Sequence, residues 1–196
     1  MFHHPTGFGV TSMRDNTLFT KHGMDCAKTA VVAGKSDIVM TPDTLAYAIV
    51  SHFGPQIAGR VLEPCSGQGA FLRAFAAHGL KNVTSLELSN GQDFFSFTEP
   101  VDWIITNPPW SKARQFACHA YAIANNIVWL INTGHFLGFK ARLRDMRAAQ
   151  FGIREIVLCD TPGKATGWPQ SGFQLGALHF QKHWSGPMTL SQLATQ

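Results

Sequence analysis

Residues 107–110 read Asn-Pro-Pro-Trp, and they follow the run Val101-Asp102-Trp103-Ile104-Ile105-Thr106. That run is β-branched or aromatic apart from Asp102, as expected of a strand buried on both faces. Two prolines cannot donate to a ladder and their φ is fixed, so the strand must stop in a stiff turn. What the turn presents is an amide, a proline carbonyl and a large aromatic face. Such a set suits one chemical task, making an aromatic exocyclic amine nucleophilic. The Asn107 side-chain oxygen and the Pro108 carbonyl can accept the amine's two hydrogens and favour a tetrahedral nitrogen. Trp110 can stack on the ring of an extruded base, at about 1–3 kcal/mol. The alternative is a structural turn with a packed tryptophan.

The elements before this turn bear on the choice. Arg60 to Phe71 reads as a short apolar strand ending in Glu63, then Pro64-Cys65-Ser66-Gly67-Gln68-Gly69 and the start of a helix. Gly67 and Gly69 let backbone approach a ligand closely at a helix start. The third glycine of the dinucleotide fingerprint is missing. A second strand, 83–86, ends in Glu87, about twenty residues after the glycines, where an acid can take two ribose hydroxyls. Only residues 88–92 separate Glu87 from Asp93-Phe94-Phe95, too few for a crossover helix. Residues 92–95 therefore read as a brief third strand, with Asp93 facing an adenine amine and Phe94 beside its ring.

Upstream, Thr41-Pro42-Asp43 reads as N-cap, N1 proline and an acid complementing the helix dipole, ahead of Leu45, Ala46, Ile49, Val50 and Phe53 on one face. Residues 1–37 lack any sustained period and read as an irregular segment able to fold over the site. After Trp110, residues 111–125 read as a helix, 127–132 as a buried strand, and 138–150 as a helix carrying Lys140, Arg142, Arg144 and Arg147. That basic face reads as a phosphate track or as a solvated surface. Residues 153–159 and 173–181 read as the last two strands, joined by a long loop holding Lys164 and Trp168. Residues 185–196 read as a polar tail.

Composition sets outer bounds. The chain has 196 residues, 45% hydrophobic, enough for one domain without staples. No apolar run approaches the ~20 residues of a membrane span. Cys26, Cys65, Cys118 and Cys159 are far apart, which argues for reduced thiols, a cytoplasmic setting and no metal site. The net charge of +4 is a mild pull towards polyanions.

The order strand–Glu-Pro-Cys-Ser-Gly-Gln-Gly-Ala-Phe, strand–Glu, Asp-Phe, strand–Asn-Pro-Pro-Trp resembles the Rossmann-like S-adenosylmethionine-dependent amino-methyltransferases. It is most similar to the gamma group of N6-adenine DNA methyltransferases, in which a Thr-Pro motif and a helix precede the glycine motif. The shortened path from Glu87 to Asp93 looks like that of small phage and mobile-element members. The resemblance covers about residues 38–182. It implies an α/β fold, a mostly parallel seven-stranded sheet with an antiparallel last strand and helices on both faces, in a domain spanning 38–184. It implies S-adenosylmethionine as cofactor and nucleic acid as partner, with no metal. Thr41, Glu63, Cys65, Gly67, Gly69, Glu87, Asp93, Phe94 and Asn107 would line the cofactor. Asn107, Pro108, Pro109 and Trp110 would hold the target base. Trp168 or Phe173 would supply a second aromatic clamp, and Lys140, Arg142 and Lys164 would meet the nucleic acid. Pro64-Cys65 lies in the cofactor loop, so Cys65 is read as a liner and not a nucleophile. Compact RNA methyltransferases acting on adenine N6 or guanine N2, release-factor glutamine methyltransferases and a non-catalytic subunit are the competing readings. With no separate recognition domain in view, sequence preference is expected to be short or relaxed.

Overall fold

The computed structural model describes residues 39–170 and 172–193, so the expectation for residues 1–37 lies outside the described residues. In chain order the elements are α1 (Asp43–Phe53), β1 (Val61–Glu63), α2 (Ala70–Ala77), β2 (Val83–Ser85), β3 (Val101–Thr106), α3 (Ala113–Ile123), β4 (Ala124–Asn132), α4 (Thr133–Leu137), α5 (Lys140–Ala148), β5 (Phe151–Cys159), β6 (Leu175–Lys182) and β7 (Thr189–Gln192). The strands form one seven-stranded sheet in the order β2-β1-β3-β4-β6-β5-β7. The pairs from β2 through β4 are parallel, β6 runs antiparallel to both β4 and β5, and β7 is parallel to β5.

Alternation along the central strands divides the core into two layers. Trp103, Ile105, Val128 and Leu130 face one side, where α1 and α2 pack Ile49, Val50, Phe53, Phe71 and Phe75. Ile104, Ile127, Trp129 and Ile131 face the other, against Phe116, Ala120 and Tyr121 of α3 and Met146 of α5. The expected mostly parallel sheet with helices on both faces is met. Asp102, the polar residue of β3, has a local use: its Oδ2 accepts the Arg60 amide at 2.8 Å, beneath Gly59, where a Cβ would sit 2.0 Å from that oxygen. His179 is buried on β6, stacked 5.1 Å from Trp103 and bonded to Asn126 Oδ1 at 3.1 Å.

Three local expectations are corrected. Residues 92–95 do not form a third strand: Asp93 Oδ1 accepts the Phe95 amide at 3.0 Å and folds Phe94–Ser96 into a 3₁₀ turn. Part of the polar tail, Thr189–Gln192, is instead the edge strand β7, with Thr189 Oγ1 donating to Arg154 O and Ser191 Oγ to Glu155 Oε1. Cys118 is disulfide-bonded, while Cys65 and Cys159 are free thiols, so spacing alone did not report the cysteine pairing. Among the described residues, no helix is long and apolar enough to cross a membrane, and no group of three or more His, Cys, Asp or Glu side chains is placed to hold a metal.

Candidate active site

β1, β2 and β3 are parallel neighbours, so the segments leaving their carboxyl ends meet at one edge of the sheet. The glycine loop leaves β1 there. Gly67 and Gly69 both have positive φ, +49° and +82°, and Gly69 occupies the N-cap position of α2. The loop is closed by Gly69 N–H to Ser66 O at 2.7 Å and anchored by Ser66 N–H to Leu86 O at 3.0 Å. A Cβ on Gly67 would lie 3.1 Å from Met40 Sδ, so a side chain there would be strained by φ and would crowd Met40.

Two carboxylates serve this loop in opposite states. Glu87 accepts Gly67 N–H at 2.7 Å on Oε2, and Ser89 N–H at 3.2 Å and Ser89 Oγ at 3.0 Å on Oε1. Partial burial pulls its pKa up, but these three bonds outweigh it and hold the carboxyl below its ordinary range. Glu63 is 1% exposed, and burial pushes its pKa up to about 8. Its Oε1 accepts the Cys65 amide at 2.9 Å, but its Oε2 has no hydrogen-bond partner. Burial likewise raises the Cys65 thiol well above its usual range, reinforced by both acids, so it is protonated and no nucleophile at neutral pH.

Asn107 fixes the opposite wall. Its Nδ2 donates to Val39 O and to Thr41 Oγ1, both at 3.2 Å, and its Oδ1 accepts Trp110 Nε1–H at 3.2 Å. An indole N–H only donates and a backbone carbonyl only accepts, so both ends of the amide demand the same orientation. This corrects the reading of Thr41 as a helix cap. α1 begins at Asp43 with Pro42 in the cap position and no side-chain cap, because the Thr41 hydroxyl is committed to Asn107. Residues 39–41 thus lie as a strap against the glycine loop. Between them is a cavity of about 30 Å³, lined by Met40, Thr41, Cys65, Gly67, Phe71 and Asn107 among others. That volume suits about one water. A larger cavity, about 620 Å³, opens among α1, α2 and residues 160–166; none of the predicted site residues lines it.

Beside Asn107 the aromatic residues do converge. The Trp110 ring centroid lies 5.2 Å from that of Phe173 and 6.5 Å from that of Trp168, both edge-on. Trp110 Nε1 also donates to Leu130 O at 3.3 Å. Trp168 is 2% exposed with its Nε1 unpartnered, and Phe173 is half-buried. Phe94 is buried against Phe116 and His119, leaving Phe95 as the exposed ring of the pair. Of the basic residues, Arg142 is turned onto its own neighbourhood: it stacks over Phe139 at 4.5 Å and donates to His135 O. Burial, and then Arg114, lower its pKa. Lys140 and Lys164 stand exposed. Sequence reasoning missed Thr106, Met40 and Ser89. Thr106, a hydroxyl one residue before Asn107 on a buried strand, carried a visible signal.

No protein-family profile matches the chain, and no curated protein is significantly similar to it. Solved structures do match. A candidate RNA methyltransferase from Pyrococcus horikoshii superposes with a TM-score of 0.55 at 16% identity, covering 85% of this chain and 98% of that one. A candidate class I S-adenosylmethionine-dependent methyltransferase from Listeria monocytogenes gives 0.54 at 14%, covering 90% and 71%. The fold is that of the class I methyltransferases. A modification subunit of a candidate type I restriction enzyme from Vibrio vulnificus gives 0.57 at 16%, covering 92% of this chain but 52% of that one, so this chain spans about half that subunit's length.

Proposed function

We propose that this chain transfers a methyl group from S-adenosylmethionine to the N6 amine of adenine in DNA, with short or relaxed sequence preference. The observation that carries the reading is the Asn107 amide, locked in one orientation beside Trp110 and Phe173 and across a small cavity from the glycine loop. The chain's residues fit the cofactor. Gly67 and Gly69 give a side-chain-free approach, Glu87 is held ionised for hydroxyl donors, and the buried Glu63 Oε2 lacks a donor. When bound, the cofactor supplies an electrophilic methyl on a sulfonium, an excellent leaving group.

What remains for the protein is alignment, which is worth several kcal/mol when attack geometry is held. Asn107 Oδ1 has a second lone pair beyond the one used by Trp110 Nε1, and the Pro108 carbonyl stands next to it. Together they accept the amine hydrogens and turn its lone pair towards the methyl. Trp110 and Phe173 clamp the base, and Trp168 backs Trp110. With the cofactor bound, the amine held this way would be presented in line to that methyl, and its proton would pass to solvent. Lys140 and Lys164 meet phosphates, while Arg142 serves its own helix over Phe139. We assign Asp93 and the Phe94–Phe95 turn to the cofactor's adenine.

RNA is the second reading, favoured by the nearly full-length likeness to the Pyrococcus horikoshii protein. A labelled-methyl transfer assay on unmethylated duplex DNA, single-stranded DNA and ribosomal RNA, followed by digestion to nucleosides, separates them. Label in N6-methyldeoxyadenosine supports the proposal. Label confined to RNA keeps the site and changes the substrate, and cofactor binding without label in any of the three refutes nucleic acid as substrate for this chain.

A further inference from the structure

Thr106 and Glu63 form a pair that the reaction described above leaves unused. Both are buried, at 0% and 1% exposure, at the carboxyl ends of the adjacent strands β3 and β1. Neither Thr106 Oγ1 nor Glu63 Oε2 has a hydrogen-bond partner among the described residues. The hydroxyl lies close enough for a weak hydrogen-bonding pull that favours the charged form of Glu63, without closing a bond of ordinary geometry. Cys65, whose amide is already bonded to Glu63 Oε1, carries the thiol that faces both groups from the loop. The other charge facing Glu63 is Glu87, across the glycine loop, and like charge disfavours ionising both. A buried carboxyl and a buried hydroxyl that lack partners beneath a ligand loop are unsatisfied polar groups, and a cationic ligand can complete them once the carboxyl is ionised.

We propose that Glu63 is carried protonated in the ligand-free protein and releases its proton when the cationic cofactor enters, with Thr106 as the positioning residue that sets the pH at which this exchange occurs. The inference rests on the cofactor reading given above. The step balances: the Glu63 carboxylic O–H breaks, the proton goes to solvent, and the carboxylate left behind is compensated by the ligand's positive charge and by the Thr106 hydroxyl, which donates. The elevated pKa of Glu63, about 8, agrees with a carboxyl that is mostly protonated at neutral pH. By linkage, cofactor affinity must then rise with pH up to about 8 and level off above it.

Two measurements test the pair. In calorimetric titrations of S-adenosylmethionine into the full chain, in buffers of different ionisation heat at pH 7, about one proton should be released per cofactor bound. Glu63→Gln should release none and bind with a flat pH profile. Thr106→Val should move the bend of the affinity profile to higher pH, and Thr106→Ser should restore it. A flat wild-type profile without proton release overturns the proposal, as does a Thr106→Val profile that superposes on wild type. Infrared titration of the ligand-free protein distinguishes this failure from failure of the cofactor reading. A protonated-carboxyl band lost with a midpoint near 8, absent in Glu63→Gln and shifted upward in Thr106→Val, establishes the pair even if no cofactor binds. Absence of that band in wild type removes it. Wild-type protein that binds no S-adenosylmethionine overturns the coupling together with the cofactor reading.

Discussion

The two halves of the site are built by different means. On the loop half, contacts are made by backbone and carboxylates lying close in sequence: Ser89 to Glu87, Cys65 to Glu63, Gly69 to Ser66. Its longer bonds in sequence, Gly67 to Glu87 and Ser66 to Leu86, span one β–α–β unit. On the aromatic half, Trp110 meets Leu130 of β4 and Phe173 and Trp168 of the loop between β5 and β6, while Asn107 reaches back to Val39 and Thr41. The loop half is therefore a local device that tunes charge. The aromatic half exists only once the whole sheet is assembled, and it is where the amine would be aligned.

The largest effect should come from the aromatic half. Asn107→Ala removes an acceptor and also frees Val39 and Thr41, so methyl transfer should fall about 100-fold or more, the scale of losing one positioned polar group. Thr41→Val leaves the acceptor in place and should cost much less, as measured by single-turnover transfer. Similar losses in the two variants would mean that the strap, and not the Asn107 oxygen, carries the effect. Trp168→Ala should destabilise the fold by about 3–5 kcal/mol in denaturant unfolding, the usual cost of emptying a large aromatic site. Phe173→Ala, at a half-buried position, should instead weaken substrate binding by about 1–3 kcal/mol, the worth of a stacked ring. A loss of stability from Phe173→Ala as large as that from Trp168→Ala would erase the distinction between support and clamp.

The loop half should answer in affinity and pH. Glu87→Gln should raise the cofactor Kd about 10–100-fold, the scale of charged hydrogen bonds worth 1.5–3 kcal/mol, with transfer at saturating cofactor little changed. The smallest effect is on stability against pH, and its sign differs between the two acids. Folded Glu63 keeps a proton that the unfolded chain has lost between its ordinary pKa of 4.5 and about 8, so its contribution is full below that window and is lost as pH rises through it. Glu87 has a lowered folded pKa, so its contribution is present above its ordinary value and is lost as pH falls through the lowered one. Thermal unfolding should show Glu63→Gln gaining on wild type between pH 5 and pH 9, while Glu87→Gln gains on it only in acid. Parallel Tm curves for both variants would remove the contrast between the two carboxylates.

Legibility in the sequence follows the same division. Glu63, Gly67, Gly69 and Glu87 could be picked out because a strand end, a positive-φ turn and a helix start are short-range features. Asn107 to Trp110 could be picked out because two prolines enforce the turn whatever surrounds it. The third strand was misread because Asp93 offers its own side chain to the Phe95 amide, a competition that composition does not reveal. Residues 189–192 read as tail because three of the four are exposed and the segment is held by an edge pairing with β5 alone. Arg142 looked like one of a row of cations, and only the fold shows it laid over Phe139. Thr106 stood one place before Asn107 and was passed over as a strand residue.

The most direct test is nucleoside mass spectrometry of DNA and RNA from a methylation-deficient host expressing either the wild-type chain or Asn107→Ala. Wild type should accumulate N6-methyldeoxyadenosine in DNA, and the variant, present at equal level and still folded, should not. Equal N6-methyldeoxyadenosine from both would contradict the role of Asn107, and none from a wild-type chain that binds S-adenosylmethionine would contradict DNA adenine as the substrate.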